Sequence, residues 1–423
     1  MQYRPLAGDE IRLLRLLRND PNGPIELSID HYSLSGCPRY DALSYVWGRP
    51  PATATVLLAG KTVPVMTNLE AFLRQAVPGA PEHTSLLLPG PEVELLWIDA
   101  LCIDQGNVPE RNAQVMRMGN IYTRADRILV WLGPEDGDYG LGLAMDAMRN
   151  MSLSALDSRD EHLAAVVADQ MGDGFRIAAV INLVQADYWR RAWIVQELTA
   201  PTGSPASRHG PVVWCSDRRM AWGLFSLATL RIYRYVAAAS FARFQSILGG
   251  NDQWFDRVRR ARLAPAAHPP LTMLRVLEST QGFEATDPRD MIYAFLALAV
   301  DGDHADLRPD YGRPVAEVYR RFAAHLIGRH DDGLDVLGHC LAPRKWATPS
   351  WVPDWTAQPL RPLVKRTWTR DGGVQAVYAT SGTRKGNISF AGPVMSVDGL
   401  VVGRVAEVAP PRSYEKLVAV KED

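Results

Sequence analysis

Leu95-Leu96-Trp97-Ile98-Asp99-Ala100-Leu101-Cys102-Ile103-Asp104-Gln105 is the stretch on which the fold turns. Its short apolar start reads as a strand buried on both faces. Two carboxylates and an amide follow within seven residues. In open α/β sheets, ligand-handling groups gather at the carboxyl ends of strands. The stretch therefore places a core strand and nominates a site at once.

Just downstream, Asn107-Val108-Pro109-Glu110 has the capping-box pattern, with proline in the first helical turn. Val115, Met118, Ile121, Tyr122 and Ala125 then recur at helical spacing. Arg127 to Leu132 is another buried strand, closed by Gly133-Pro134. Strand, helix and strand make a βαβ unit, so the two strands should run parallel. Upstream, Tyr40 to Trp47 is a further apolar run. Thr55 to Leu58 and Thr62 to Val65 flank Ala59-Gly60-Lys61 as a hairpin. Thr67-Asn68-Leu69-Glu70 has a second capping-box pattern. Ile11 to Leu17 and Ile25 to Asp30 are β-like, separated by the turn cluster from Asn19 to Pro24, though the first run fits a helix equally well. Ala76 to Pro91 reads as a surface loop.

Beyond the unit, Ile177, Val180, Ile181 and Val184 mark an amphipathic helix that leads into the run from Asp187 to Leu198. Val212-Val213-Trp214 is a short strand. From Met220 to about Ile327 the chain reads as mostly helical, with Asp287-Pro288 as a helix start before Met291 to Ala299. Ile388 to Ala391 and Val397 to Val408 look like strands. The expected class is α/β: a mixed, partly parallel sheet with flanking helices, a helical region, and a small C-terminal β segment. The expected domains are 1–219, 220–335 and 336–423.

Charge and composition narrow the functions. With a net charge of −1, the chain has no basic field to hold nucleic acid or an anionic membrane. No apolar run approaches the roughly 18–20 residues of a membrane helix. The start of the chain carries no apolar signal region, so a cytoplasmic location is expected. The four scattered cysteines form no zinc-like pair, so no metal ligand set and no disulfide framework are expected. No Gly-x-Gly-x-x-Gly follows a strand and no Walker-type loop exists, so no cofactor is expected.

Several of these segments resemble the signatures of the fungal heterokaryon-incompatibility (HET) domain family. Tyr40-Asp41-Ala42-Leu43-Ser44-Tyr45-Val46-Trp47-Gly48 is similar to its first signature and Leu96 to Gln105 to its second. Glu110 to Val115, Met118 to Tyr122 and Trp131-Leu132-Gly133 resemble its third, and Arg191 to Glu197 its last. Asp287 to Asp290, Pro309-Asp310-Tyr311 and Pro349 to Trp355 look like segments found downstream. Arg49 departs from the pattern, where an acidic or amide residue often stands. The resemblance implies nonself recognition and programmed cell death, and a core distantly similar to TIR domains, some of which hydrolyse NAD. Self-association and a small-molecule ligand are the expected partners.

The candidate catalytic groups are three carboxylates. Asp99 and Asp104 could act as acid and base, or could cap the next turn and pair with Arg111 or Arg191. Asp99, directly at the strand end, leads, and Asp104 reads also as a cap. Glu197 lies four residues after Trp193 on a helix, so the two share a face. A carboxylate beside an indole suits acid–base work or facing an oxocarbenium ion. Equally, it could be ion-paired to Arg190 or Arg191. Ser44, Trp47, Gln105, Arg191 and Trp193 are the candidate substrate-binding residues. Ser44 lacks a nucleophile elbow and no histidine sits in the motifs, which argues against a hydrolase triad. Gln196 could orient a ligand or satisfy backbone groups. An enzyme of fungal natural-product metabolism stands as a second reading, prompted by twelve tryptophans that could wall an apolar pocket. A module without chemistry stands as a third.

Overall fold

The computed structural model describes residues 3–17, 23–76, 94–134, 140–153, 169–170, 174–200, 210–238, 255, 258, 262, 270–280, 282–329, 333–340, 345–357, 366–368, 374–376 and 387–398. The loop expected from Ala76 to Pro91, most of the turn cluster before Pro24, and the strand expected to reach Val408 lie outside the described residues. The chain forms two compact units, Met1–Tyr378 and Ala379–Asp423.

The first unit is built on a nine-stranded sheet: β1 (Glu10–Leu16), β2 (Glu26–Ser33), β3 (Asp41–Tyr45), β4 (Ala54–Leu58), β5 (Lys61–Val65), β6 (Leu95–Trp97), β7 (Arg127–Trp131), β8 (Val212–Cys215) and β9 (Arg218–Ala221), with a separate antiparallel pair at Arg366–Trp368 and Val374–Ala376. The nine lie side by side in the order β5-β4-β2-β1-β6-β3-β7-β8-β9. At the centre, β6, β3, β7 and β8 are mutually parallel. β1 is antiparallel to β2 and β6, β5 to β4, and β9 to β8, while β2 and β4 run parallel. Every residue of β3, β6 and β8 is buried. Such strands are covered on both faces, which explains the apolar reading of β6 and β8; in β3 two polar residues, Asp41 and Ser44, are buried as well.

The expected βαβ unit is present, with one difference. Helix α3 (Val108–Arg124) joins β6 to β7, but β3 is inserted between them. The strands are parallel through β3 rather than paired directly. Before α3 come α1 (Thr67–Gln75) and the single turn α2 (Asp99–Cys102). Later helices are α4 (Leu141–Leu153), α5 (Gly174–Val184), α6 (Trp193–Thr199), α7 (Trp222–Ala238), α8 (Met273–Ser279), α9 (Asp290–Tyr293) and α10 (Val315–Arg329). The helix expected from Met291 to Ala299 is instead the short α9 and a 3-10 turn, Leu296–Leu298. Ile11 to Leu16, open between helix and strand in the sequence, pairs along its length with β2.

A tertiary contact modifies the capping box at α3, and the one expected at α1 does not form. At α3, Asn107 accepts from the Glu110 N–H at 3.2 Å, as a cap should. Glu110 does not reach back to close the box. Its carboxylate accepts from the Asp104 N–H at 2.8 Å and grips Arg12 of β1 by two bonds of 2.5 and 3.0 Å. Arg12 has no exposed surface, and its other N–H groups go to the carbonyls of Cys102 and Arg4 and to His31 Nε2. At α1 the N-cap is Met66 and makes no side-chain bond. Asn68 donates to the Val46 carbonyl and accepts from the Trp131 indole, so it ties together the carboxyl ends of β3 and β7.

In the second unit, Ile388–Ala391 and Val394–Val397 form an antiparallel hairpin. Gly392 takes φ +60° in its turn, a conformation glycine adopts without strain. Asn387 and Asp398 close its open end, with 2.7 Å between the amide nitrogen and the carboxylate. Among the described residues no helix is long and apolar enough to cross a membrane.

Candidate functional site

The carboxyl ends of β3 and β6 meet the start of α6, and charge concentrates there. Asp99 lies two residues beyond β6 and opens α2. Ser44 is the fourth residue of β3, and Trp47 follows two residues past the strand's end. Arg191 comes from the connection between the 3-10 turn Asp187–Arg190 and α6, and Glu197 from α6 itself. The Arg191 backbone is held by a bridge to Glu284: the Glu284 N–H donates to Arg190 and the Ala192 N–H to Glu284. The downstream part of the chain thus positions the site's cation.

Glu197 is 1% exposed. Its carboxylate accepts a short hydrogen bond from the Ser44 hydroxyl, which also bonds the Tyr188 hydroxyl at 2.6 Å. Arg191 Nη1 stands 3.8 Å from Glu197 and has no hydrogen-bond partner, while 19% of the arginine side chain stays open to solvent. Asp99 accepts from the Trp47 indole N–H at 2.9 Å and from the Ala100 N–H at 2.7 Å. Trp47 is 37% exposed, so one aromatic face stands at the surface beside a withdrawn carboxylate.

Burial raises the pKa of both carboxylates, against the pull of Arg191. The Ser44 bond at Glu197 and the Trp47 bond at Asp99 also act to lower them. At Arg191, burial favours the neutral form, but Glu197 and Asp99 outweigh it and the net shift is upward. One guanidinium therefore sits in the field of a buried acid, Glu197, and a half-buried one, Asp99. An acid held ready to keep its proton can act as a proton donor. In its ionised form it can face developing positive charge.

The other expected residues have definite places. Gln105 donates to the Asp99 carbonyl at 3.0 Å and so braces α2. Asp104 accepts from the Gly106 N–H at 3.2 Å, which is a turn cap. Trp193 gives its indole N–H to Asp290 at 3.1 Å, and Arg111 pairs with Asp287 at 3.2 Å. Gln196 satisfies backbone: its amide donates to Ala294 at 3.1 Å and accepts from Gly119 at 2.6 Å. Gly119 is needed there, because a Cβ would lie 2.5 Å from that of Ala297. Trp97 and Cys102 are core, and burial pushes the Cys102 thiol up to about 12. Three tyrosines were not foreseen. Tyr188, Tyr45 and Tyr122 are buried and feel the site's charges. For Tyr188 a signal existed: it precedes Arg191 by three residues in the same motif. A cavity of about 230 Å³ is lined by Met145, Asp146, Arg149 and the run from Asp217 to Met220, and none of the expected site residues lines it.

These features define an α/β protein with a partly buried acid–arginine–acid cluster at the carboxyl ends of its parallel strands. Residues 40–197 match the model of the family described as heterokaryon incompatibility protein (HET), so the chain carries a HET domain. Every expected site residue falls within that stretch, and Glu197 ends it. The chain is also 24% identical over 394 residues to heterokaryon incompatibility protein 6, OR allele, of Neurospora crassa. That alignment takes in 80% of this chain and 55% of the relative, so the chain spans about half the relative's length. No solved structure gives a significant match.

Proposed function

We propose that the protein acts in nonself recognition through its HET domain, and that the domain's cluster hydrolyses a nucleotide of the NAD type. The observation that carries the reading is the buried Glu197 carboxylate, bonded to Ser44 and sharing Arg191 with Asp99. Cleaving the ribose–nicotinamide bond needs negative charge beside the ribose carbon that becomes an oxocarbenium ion. Nicotinamide leaves as a neutral base, so the leaving group takes no proton. Water then adds to the ribose carbon and gives up a proton to a base. Glu197 is the group assigned to face the cation. Asp99 is assigned to hold the water's proton, Arg191 to meet the pyrophosphate, and Trp47 to offer a face to a ring. The distant similarity to TIR domains that the family resemblance implies makes NAD the substrate to try first.

The test is incubation of the pure protein with NAD, following nicotinamide release by chromatography. Release should fall at least about 100-fold in Glu197→Gln, the scale of losing a group that stabilises transition-state charge. Wild-type protein that releases no nicotinamide would remove the hydrolase claim. Induced expression in a fungal host tests the wider role. Wild type should arrest growth and Glu197→Gln should not, and equal growth of both strains would count against it.

A further inference from the structure

Outside the HET stretch, two histidines and an aspartate converge. His304 is the N-cap of the 3-10 turn Ala305–Leu307, its Nδ1 accepting from the Asp306 N–H at 3.2 Å. His325 comes from α10, and only 5% of its side chain is exposed. Asp306 Oδ2 lies 3.3 Å from His304 Nδ1 and 3.6 Å from His325 Nδ1. One donor atom from each residue falls within 4.8 Å of the other two. The imidazole rings are 4.5 Å apart at their centroids.

These separations have a chemical meaning. Donor atoms about 2.0–2.1 Å from a tetrahedral ion stand roughly 3.3–3.4 Å from one another. Both carboxylate–imidazole distances are close to that edge. Asp306 is 56% exposed, which leaves a fourth position open to water. We propose that His304, Asp306 and His325 bind one divalent transition-metal ion, with zinc the best fit to the donor set and spacing. The ion would pin the 3-10 turn to α10. Its ligation through His304 Nδ1 exchanges the Asp306 N–H bond for a metal bond, and a ring rotation would offer Nε2 instead. The sequence conceals the set: His-x-Asp and a histidine two-thirds of the way along a helix match no common zinc spacing.

The full-length protein, stripped with a chelator, is titrated with Zn²⁺ by calorimetry and with Co²⁺ by visible absorption. One ion per chain should bind, and bound Co²⁺ should show the intense bands of four-coordination without a thiolate charge-transfer band. Asp306→Asn, a near-isosteric change at an exposed position, should weaken Zn²⁺ at least about tenfold and abolish those bands. His304→Ala should do the same, so the proposal stays testable should the buried His325→Ala fail to fold. Uptake that is indifferent to Asp306→Asn and His304→Ala would overturn the site. So would an absence of binding tighter than millimolar.

Discussion

Glu197 and Asp290 are both carboxylates drawn away from water, and α6 serves both, yet their partners differ in kind. Glu197 faces a cation, Arg191, which it shares with Asp99. Asp290 is held by neutral donors: the Tyr311 hydroxyl, in a short bond, and the Trp193 indole at 3.1 Å. The arginines near Asp290 are engaged by Asp287, at 3.2 Å from Arg111 and 2.8 Å from Arg289, and Arg111 lies 3.4 Å above the Tyr311 ring. A cation makes a buried acid depend on one partner. Neutral donors leave it to answer to pH. The first arrangement suits a site, and the second suits a joint between the HET domain and the chain that follows.

The largest effect should come from removing the cation. Arg191→Met keeps much of the unbranched stem of the side chain but leaves the buried Glu197 and the half-buried Asp99 without their shared charge. Deleting one partner of a buried ion pair costs about 3–5 kcal/mol. Urea denaturation at neutral pH measures it. The two acids should then take up protons, and the loss should shrink as pH falls. A variant within about 1 kcal/mol of wild type, the range of an exposed pair, would show that the cluster is solvated and erase the contrast.

Asp290 should produce the next effect, and its sign is that of an acid whose burial outweighs its hydrogen bonds. Burial raises its pKa from 3.8 to about 6, despite the bonds from Tyr311 and Trp193. The folded state thus holds the proton more tightly than the unfolded one. The stability this provides is complete below about pH 4 and is lost as pH rises through about 6, a swing on the order of 3 kcal/mol. Asp99 and Glu197 are also raised and contribute in the same direction. The difference between wild type and Asp290→Asn isolates the joint. The asparagine variant should lose much of the slope between pH 4 and 7, and parallel curves would dismiss the assignment.

How much of this was legible follows from where each interaction is encoded. The strands β6 and β7 and helix α3 between them could be read because apolar runs and a cap are local signals. The insertion of β3 between β6 and β7 could not, since parallel pairing joins distant segments and leaves no periodicity. Ser44 and Glu197 stand 153 positions apart, and Arg12 and Glu110 stand 98. A pairing of Glu197 with Arg190 or Arg191 stood among the sequence's alternatives because these residues lie six or seven positions apart. The bond from Trp193 to Asp290 was not, because its acceptor lies outside the HET stretch. Both capping boxes were visible, but tertiary partners claimed Glu110, and at α1 the helix starts one residue early, with Met66 as N-cap and Glu70 paired to Arg74. Local patterns name the donors and acceptors, and only packing decides who takes them.

Within the cation-bound cluster, Ser44→Ala should have an intermediate effect. It strips a hydroxyl from both Glu197 and Tyr188, all three being buried. Leaving buried groups unsatisfied costs about 1–3 kcal/mol. A matched Ser44→Thr variant that restores the hydroxyl should recover part of the loss, provided β3 accommodates the extra methyl. Equal losses in Ala and Thr would assign the effect to packing and not to the bond.

Trp47→Phe should be the smallest. Trp47 is more than a third exposed, and its indole N–H is one of two donors to the Asp99 side chain. Phenylalanine keeps an aromatic face and deletes only that donor. A bond so near solvent is worth roughly 0.5–1 kcal/mol in stability. The chemistry should feel it more. With the indole bond gone, Asp99 loses one of the two groups that oppose its burial beside Arg191, so its pKa should climb further. If Asp99 is the base for water, the acid limb of the nicotinamide-release profile moves to higher pH while folding stability hardly changes. A stability loss as large as that of Arg191→Met would mean that Asp99 depends on its indole as Asp290 does on Trp193, and the two clusters would then be of one kind.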